Sequence, residues 1–419
     1  MSVTQDLIAE LGYTYSPNYK TDVRMFEPDM AHIFRSVSDL GVEGIYVFQS
    51  SPNIEGKTLS DSPLVYIAEA KDIEQAKAIH RSIWNLGKAP FLIIVLPNKV
   101  RVYTGFDYTP IGARERGLLE TVPLNIPISL IRDALEAFTV YAIDSGRIWA
   151  YSKYTDALDS RRRVDVRLLK NLKDLDQALT TIGRLSSDVA HALIGKYVYI
   201  RYLWDRGILT EEWLVEQGIH KDLVLGRNAT VAELAKLSVA LEIRFNGRIF
   251  PIEFGTNTAP TDQHVALTAS VFMGDSITQS TSAIIQQLHA DFQAYDFKYI
   301  PVETLSAVYE QFIDDRKLKG SIYTPEILAD YLLAEVNSAK HLTPTTRVLD
   351  PSCGSGIFLV LTYRRLIEQE LLRNGRDRLE PEVLKTLLNN IYGVERELDA
   401  CYVAEFSLIL TFLHYIEPR

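Results

Sequence analysis

The fold of the C-terminal part of the chain is decided by residues 348–359, which read VLDPSCGSGIFL. Apolar residues lead into Asp350 and Pro351, and Gly354 and Gly356 then open onto a second apolar stretch. Glycines let the backbone approach a ligand closely, and the N-terminus of a following helix offers N–H groups that lack helical partners. The stretch therefore predicts a strand, a ligand-binding turn and a helix.

The residues around this turn favour S-adenosylmethionine (AdoMet) over a dinucleotide. The dinucleotide pattern has a third glycine at the position of Leu359. Asp350, at the end of the predicted strand, suits the ammonium and sulfonium groups of AdoMet better than a pyrophosphate. A second predicted strand, IYGVE, ends at Glu395. An acidic residue at such a strand end typically accepts hydrogen bonds from ribose hydroxyls.

Three motifs in this region resemble those of the N6-adenine DNA methyltransferases. DPSCGSGIFL (350–359) is similar to the AdoMet motif of that family, whose usual form is DPxCGSGxFL. GSIYTP (320–325) resembles the companion motif, and IYGVERELDACYVAEFSLIL (391–410) resembles the second-strand motif. The resemblance implies a Rossmann-like methyltransferase sheet. It also implies AdoMet contacts from Tyr323, Thr324, Pro325, Asp350, Pro351, Cys353, Gly354, Gly356, Phe358 and Glu395.

The motif that activates the adenine amine is missing from these residues. The family uses (D/N/S)PP(Y/F/W), whose polar groups accept the hydrogens of the amine and whose aromatic ring stacks on the flipped base. The sequence contains no Pro-Pro pair and stops at Arg419, before the family would supply its third strand. We therefore expect an incomplete methyltransferase domain that transfers no methyl group alone. A second chain or a C-terminal region would complete it.

A second resemblance concerns SPLVYIAEAK (62–71), which precedes a helical segment and two further apolar strands. The order strand, strand, helix, strand, strand and the Glu69-x-Lys71 pair resemble the core of PD-(D/E)xK nucleases. In that family two carboxylates hold Mg²⁺ and the lysine orients or activates water. The resemblance implies Glu69, Lys71 and Glu43 as catalytic residues, with Glu69 and Glu43 as Mg²⁺ ligands.

The nuclease assignment has an open alternative. Glu43 stands where the family has Asp, and Asp39 and Asp61 lie at less suitable positions. A short E-x-K motif also arises by chance on strands. The same residues are therefore compatible with an inert nuclease fold that serves as a scaffold or binds DNA.

These patterns predict an α/β multidomain protein with three parts. A nuclease-like α/β domain occupies residues 1–125, an α-helical connector occupies 126–300, and the start of the Rossmann-like methyltransferase domain occupies 301–419. The connector contains KYVYIRYLWDRGIL (196–209), which resembles a connector segment of single-chain restriction–modification enzymes. Double-stranded DNA is the expected partner.

Composition is consistent with a folded cytoplasmic protein. Hydrophobic residues make up 47% of the chain and charged residues 23%, with a net charge of −10. The two cysteines, Cys353 and Cys401, fit a reducing compartment. The chain shows neither a signal peptide nor an apolar run long enough to span a membrane, so no membrane partner is expected.

Three functions agree with the sequence. The first is the N-terminal portion of a restriction–modification enzyme that methylates adenine in DNA and cleaves DNA with Mg²⁺. The second is a stand-alone or phage-defence DNA methyltransferase with an inactive, DNA-binding nuclease fold. The third is an AdoMet-dependent enzyme acting on RNA or protein.

Overall fold

The computed structural model describes residues 3–27, 30–49, 61–108, 115–245, 249–273, 283–313 and 324–416. The chain divides into two compact units. The first comprises residues 1–164, 324–350 and 358–392, and the second comprises residues 165–323, 351–357 and 393–419. Residues from the predicted methyltransferase domain contribute to both units. The three domain boundaries stay predictions.

A six-stranded sheet lies at the centre of the first unit, and its strands are adjacent in the order in which they occur along the chain. The third and fourth strands are parallel, and all other neighbours are antiparallel. The strands are β1 (Tyr19–Lys20), β2 (Val42–Gln49), β3 (Asp61–Glu69), β4 (Phe91–Leu96), β5 (Lys99–Thr104) and β6 (Leu118–Pro123).

The helix α3 (Ile73–Leu86) connects the parallel strands β3 and β4, which confirms the predicted order strand, strand, helix, strand, strand. Asp72 caps the helix by accepting the Gln75 N–H at 2.8 Å. Gly87 ends the helix in the left-handed conformation, with φ of 64°. These local signals fix where the chain turns from sheet to helix and back.

The core of the first unit forms around β4, whose six residues FLIIVL are all buried. A strand buried on both faces carries a continuous apolar run instead of an alternating one. Short helices pack around the sheet. They are α1 (Val3–Glu10), α2 (Ala31–Arg35), α4 (Ile128–Ala134), α5 (Val140–Asp144) and α6 (Ser152–Asp156).

The first unit also contains the elements around the glycine turn. These are α14 (Glu326–Ala339), β7 (Val348–Asp350), α15 (Ile357–Asn374), α16 (Pro381–Leu388) and β8 (Ile391–Gly393). Among the described residues, β7 and β8 form a separate sheet of two strands. Leu349 and Tyr392 are 60% and 46% exposed on it. Two strands do not establish the predicted Rossmann-like sheet, which stays a prediction. The second strand ends at Gly393, not at Glu395 as predicted, so Glu395 lies in the segment that follows it.

The second unit consists mainly of helices in its described residues. Its helices are α7 (Val164–Gln177), α8 (Ser187–Asp205), α9 (Glu211–Glu216), α10 (Val231–Phe245), α11 (Asp262–Met273), α12 (Ala283–Phe292), α13 (Val302–Ile313) and α17 (Leu398–Ile416). Helix α13 packs on α17, where the hydroxyls of Ser306 and Ser407 form a buried hydrogen bond. Tyr202 of α8 donates to the Leu410 carbonyl at 3.2 Å, so the segment 196–209 packs on the same helix.

In the part of the chain that the structure describes, no helix is both long enough and apolar enough to cross a membrane.

Candidate functional site

The predicted glycine turn joins β7 to α15. Gly354 and Gly356 have φ of 52° and 86°, in the left-handed region that favours glycine. The Cys353 N–H donates to the Val394 carbonyl at 3.0 Å, which ties the turn to the segment after β8. The turn is therefore a defined backbone structure and not an open loop.

Glu395 is the side chain that holds this turn in place. Its Oε2 accepts the Gly354 N–H at 2.9 Å. Its Oε1 accepts the N–H groups of Arg396 and Glu397 at 2.7 and 2.9 Å. One carboxylate therefore accepts three backbone N–H groups and ties the glycine turn to the segment after β8. The structure thus brings together the predicted glycine and acidic residues of two different motifs.

A further residue at the turn, Glu310, was missed by the sequence analysis. Ser355 is buried and donates from its hydroxyl to a carboxylate oxygen of Glu310 on α13. The buried polar side chain of Ser355 requires a partner. No sequence pattern identifies that partner, because it comes from a helix 45 residues earlier in the chain.

The other predicted cofactor residues are distributed as follows. Thr324, Pro325, Asp350 and Phe358 belong to the first unit, whereas Pro351, Cys353, Gly354, Gly356 and Glu395 belong to the second. Pro325 stands at the N-cap position of α14, with φ of −57° and ψ of 139°. Asp350 is the last residue of β7 and is half-buried. Tyr323 lies outside the described residues.

The predicted nuclease residues lie at the adjacent ends of β2 and β3. A register shift between Val42 and Gly44 leaves Glu43 in a bulge of β2. Burial, and secondly the charge of Glu69, raises the pKa of the Glu43 carboxyl. The Glu69 N–H donates to the Gly41 carbonyl at 3.2 Å, two residues before Glu43, so the two residues stand on paired strands. The structure therefore brings Glu43 and Glu69 together, and both side chains are exposed.

Lys71 stands between β3 and α3, and its side chain is exposed. Its N–H donates to the Gln75 side-chain oxygen at 2.9 Å, which fixes its backbone at the start of the helix. Over the described ranges, no group of three or more His, Cys, Asp or Glu residues is placed to hold a metal ion. Within those ranges, the predicted Mg²⁺ ligands Glu43 and Glu69 are not joined by a third such residue.

Comparison with known proteins bears on the C-terminal part of the chain. Residues 333–415 match the model of the MmeI DNA-methyltransferase domain. This range, hereafter the methyltransferase-like segment, contains β7, the glycine turn and Glu395. It is similar to DNA methyltransferases of restriction–modification type.

Two individual proteins are also similar. The methylase subunit of the type I restriction enzyme MjaVII from Methanocaldococcus jannaschii is 26% identical over 137 residues, which cover 31% of this chain and 23% of that subunit. The chain thus matches less than a quarter of the length of this relative. The cryo-electron microscopy structure of a DrdV–DNA complex aligns with 99% of this chain and 38% of its own, at 12% identity and a TM-score of 0.30.

The two glycines of the methyltransferase-like segment permit a matched prediction. A Cβ at Gly356 would lie 3.0 Å from the Ala404 Cβ, whereas a Cβ at Gly354 would meet nothing within 4 Å. Gly354→Ala should therefore cost only backbone strain, about 1 kcal/mol. Gly356→Ala adds overpacking against α17 and should cost about 2–3 kcal/mol. Urea unfolding of both variants measures the difference, and equal losses would contradict the packing explanation.

Proposed function

We propose that this chain is part of an AdoMet-dependent N6-adenine DNA methyltransferase of a restriction–modification system. The observation that carries the proposal is the hydrogen bond between Gly354 and Glu395, which joins two cofactor motifs in one arrangement. The match of residues 333–415 to a DNA-methyltransferase domain supports the same function. Double-stranded DNA is the proposed substrate.

In this proposal, Glu395 accepts hydrogen bonds from the ribose hydroxyls of AdoMet. Gly354 and Gly356 let the backbone approach the cofactor, since neither carries a side chain. The remaining contacts come from Tyr323, Thr324, Pro325, Asp350, Pro351, Cys353 and Phe358. When bound, AdoMet supplies an electrophilic methyl group on a sulfonium, and the protein orients it.

We propose that further polypeptide supplies the acceptor side of the reaction. The described residues contribute two strands to the small sheet, and Leu349 and Tyr392 expose large apolar side chains on it. An incomplete sheet leaves apolar surface and strand edges that another strand can cover. We propose that a second chain or a C-terminal region covers them and supplies the tetrapeptide that binds the target adenine.

For the N-terminal domain we propose Mg²⁺-dependent cleavage of DNA. Glu43 stands at the start of β2 and Glu69 at the end of the paired strand β3, and Lys71 follows two residues later. Mg²⁺ is commonly held by one or two carboxylates and several waters, so this pair fits the ion. The bound ion would polarise a phosphate oxygen, and Lys71 would orient the attacking water.

The alternative for this domain is an inert fold that binds DNA and leaves the enzyme as a methyltransferase only. The exposed positions of Glu69 and Lys71 are compatible with it. For the C-terminal part, the alternative is AdoMet-dependent methylation of RNA or protein.

The test uses the complete gene product, incubated with plasmid DNA and Mg²⁺, with and without radiolabelled AdoMet. Lys71→Ala should lower cleavage by about a hundredfold or more, because it removes the group that orients water. Lys77→Ala is the control, since Lys77 lies on α3 and pairs with the exposed Glu74. It should cleave as the unaltered protein does.

Each alternative has its own outcome in this experiment. Methylation of DNA without any cleavage would mean that the N-terminal domain is an inert scaffold. Equal cleavage by the Lys71→Ala and Lys77→Ala variants would remove Lys71 from the active site. Label transferred to RNA or protein, with none in DNA, would overturn the proposed substrate.

A further inference from the structure

The centre of the glycine turn is held by a side chain from outside the predicted motifs. Ser355 stands between Gly354 and Gly356, is buried, and donates from its hydroxyl to Glu310 Oε2 at 2.5 Å. A hydrogen bond from a hydroxyl to a charged acceptor is stronger than one between neutral groups. The Glu310 carboxylate therefore anchors the middle residue of the turn.

The hydrogen bonds on either side of Ser355 belong to the same arrangement. The Gly354 N–H donates to Glu395 at 2.9 Å, and the Gly356 N–H donates to the Cys353 carbonyl at 2.8 Å. These residues and the helix α13, which carries Glu310, all belong to the second unit. Two carboxylates thus hold adjacent residues of one turn.

The helix α13 is itself firmly placed within that unit. Tyr309 is buried, and its hydroxyl donates to the His191 carbonyl of α8 at 2.7 Å. One turn before Glu310, Ser306 and Ser407 join α13 to α17 through a buried hydrogen bond. The helix can therefore support the turn, because contacts outside the turn set its position.

We propose that Glu310 is a positioning residue for AdoMet binding. It acts through the Ser355 hydroxyl and keeps Gly354 and Gly356 in the conformation that lets the backbone approach the cofactor. When this hydrogen bond is lost, the turn also adopts other conformations, and the apparent affinity falls with the fraction that stays competent. The inference rests on the proposed function, since it assumes that this turn binds AdoMet. It adds to the cofactor site a residue outside the methyltransferase-like segment.

The test measures AdoMet binding to the complete gene product by equilibrium dialysis with radiolabelled AdoMet up to millimolar concentration. Glu310→Ala should weaken binding about five- to tenfold, as expected for the loss of one hydrogen bond to a charged group. Ser355→Ala removes the other partner and should weaken binding by a similar factor. The double variant should bind no more weakly than either single variant, because both substitutions remove the same interaction.

Two conservative variants separate positioning from charge. Glu310→Gln loses the charge but keeps an oxygen that can accept the Ser355 hydroxyl, so it should bind AdoMet within about threefold of the unaltered protein. Glu310→Asp keeps the charge but is one methylene shorter, so its carboxylate should not reach Ser355 and binding should fall as in Glu310→Ala. Recovery by Asp without recovery by Gln would mean that the negative charge itself attracts the cofactor, and would overturn the positioning role.

The matched control is Ser306→Ala, which removes a buried hydroxyl from the same helix, one turn before Glu310. It should leave AdoMet binding unchanged, because the Ser306 hydroxyl bonds to the Val302 carbonyl and to α17 instead of the turn. Thermal unfolding of all variants shows whether each is folded at the temperature of dialysis. Should Glu310→Ala fail to fold, Glu310→Gln and Glu310→Asp still decide the question.

Two failures are distinguishable. Unchanged affinity in Glu310→Ala, additive losses in the double variant, or an equal loss in Ser306→Ala would overturn the role of Glu310 and leave the cofactor site standing. Absence of saturable binding by the unaltered protein would overturn the proposed cofactor site, and the role of Glu310 with it.

Discussion

Replacing Arg35 by Met is expected to lower the free energy of unfolding by about 3–5 kcal/mol, the range for breaking a buried ion pair from one side. Arg35 Nε lies 3.0 Å from Glu368 Oε2, and the two side chains are 7% and 0% exposed. Removing the guanidinium takes away a positive charge that lies 3.0 Å from a fully buried carboxylate. Equilibrium unfolding in urea of the 419-residue chain measures the loss.

Arg24→Met is the matched control for this prediction. Arg24 pairs with Asp22 at 2.8 Å, but its side chain is 81% exposed. Its removal should cost less than about 1 kcal/mol, as is typical of surface pairs. The double variant Arg35→Met with Glu368→Leu should recover much of the loss, because apolar residues can replace a buried pair without leaving a charge behind. Equal losses for Arg35→Met and Arg24→Met would contradict the importance of burial.

The Arg35–Glu368 pair also shows where sequence analysis reaches its limit. The two residues are 333 positions apart, and neither stands in a recognisable motif. The same holds for Lys88 and Glu326, and for Ser355 and Glu310. A pattern of spacing predicts contacts along one helix or strand, whereas these pairs depend on how separate elements pack.

Local structure was predicted well where the chain itself dictates it. The order of the elements from β2 to β5, including α3, was predicted from short β-rich runs interrupted by one helical segment. The glycine turn was predicted from its two glycines, and the structure shows that both adopt the left-handed conformation, with φ of 52° and 86°. The predicted extent of β8 was wrong, since the strand ends at Gly393 and not at Glu395.

The candidate sites were predictable to different degrees. Glu395 was expected near the glycine turn, and the structure adds that its carboxylate accepts the Gly354 N–H. Glu43 was predicted as a site residue only from the resemblance to nucleases. Its position in a bulge of β2 depends on the register between β2 and β3, which the sequence did not reveal. The roles of these residues stay predictions.

Replacing Glu395 by Ala is expected to weaken AdoMet binding by about 10- to 100-fold, the equivalent of one hydrogen bond to a charged group at about 1.5–3 kcal/mol. Two physical causes act together. The variant removes the proposed acceptor of the ribose hydroxyls, and it leaves the Gly354 N–H without the oxygen that lies 2.9 Å away. Equilibrium dialysis with radiolabelled AdoMet measures the affinity, and thermal unfolding measures any loss of the fold.

Two variants separate these causes. Glu395→Gln keeps one accepting oxygen but places an NH2 donor where the other oxygen accepts N–H groups, so it should restore only part of the thermal stability and part of the affinity. Glu397→Ala removes an acidic side chain two residues away and should change the affinity by less than about twofold, as expected for a substitution outside the contacts that bind a ligand. If Glu395→Ala binds AdoMet as tightly as the unaltered chain, Glu395 is not the ribose acceptor. A hydrogen bond from a ribose hydroxyl to a charged acceptor is stronger than one to an amide oxygen. If Glu395→Gln binds AdoMet as tightly as the unaltered chain and is as stable, the Glu395 carboxylate therefore acts on the turn alone.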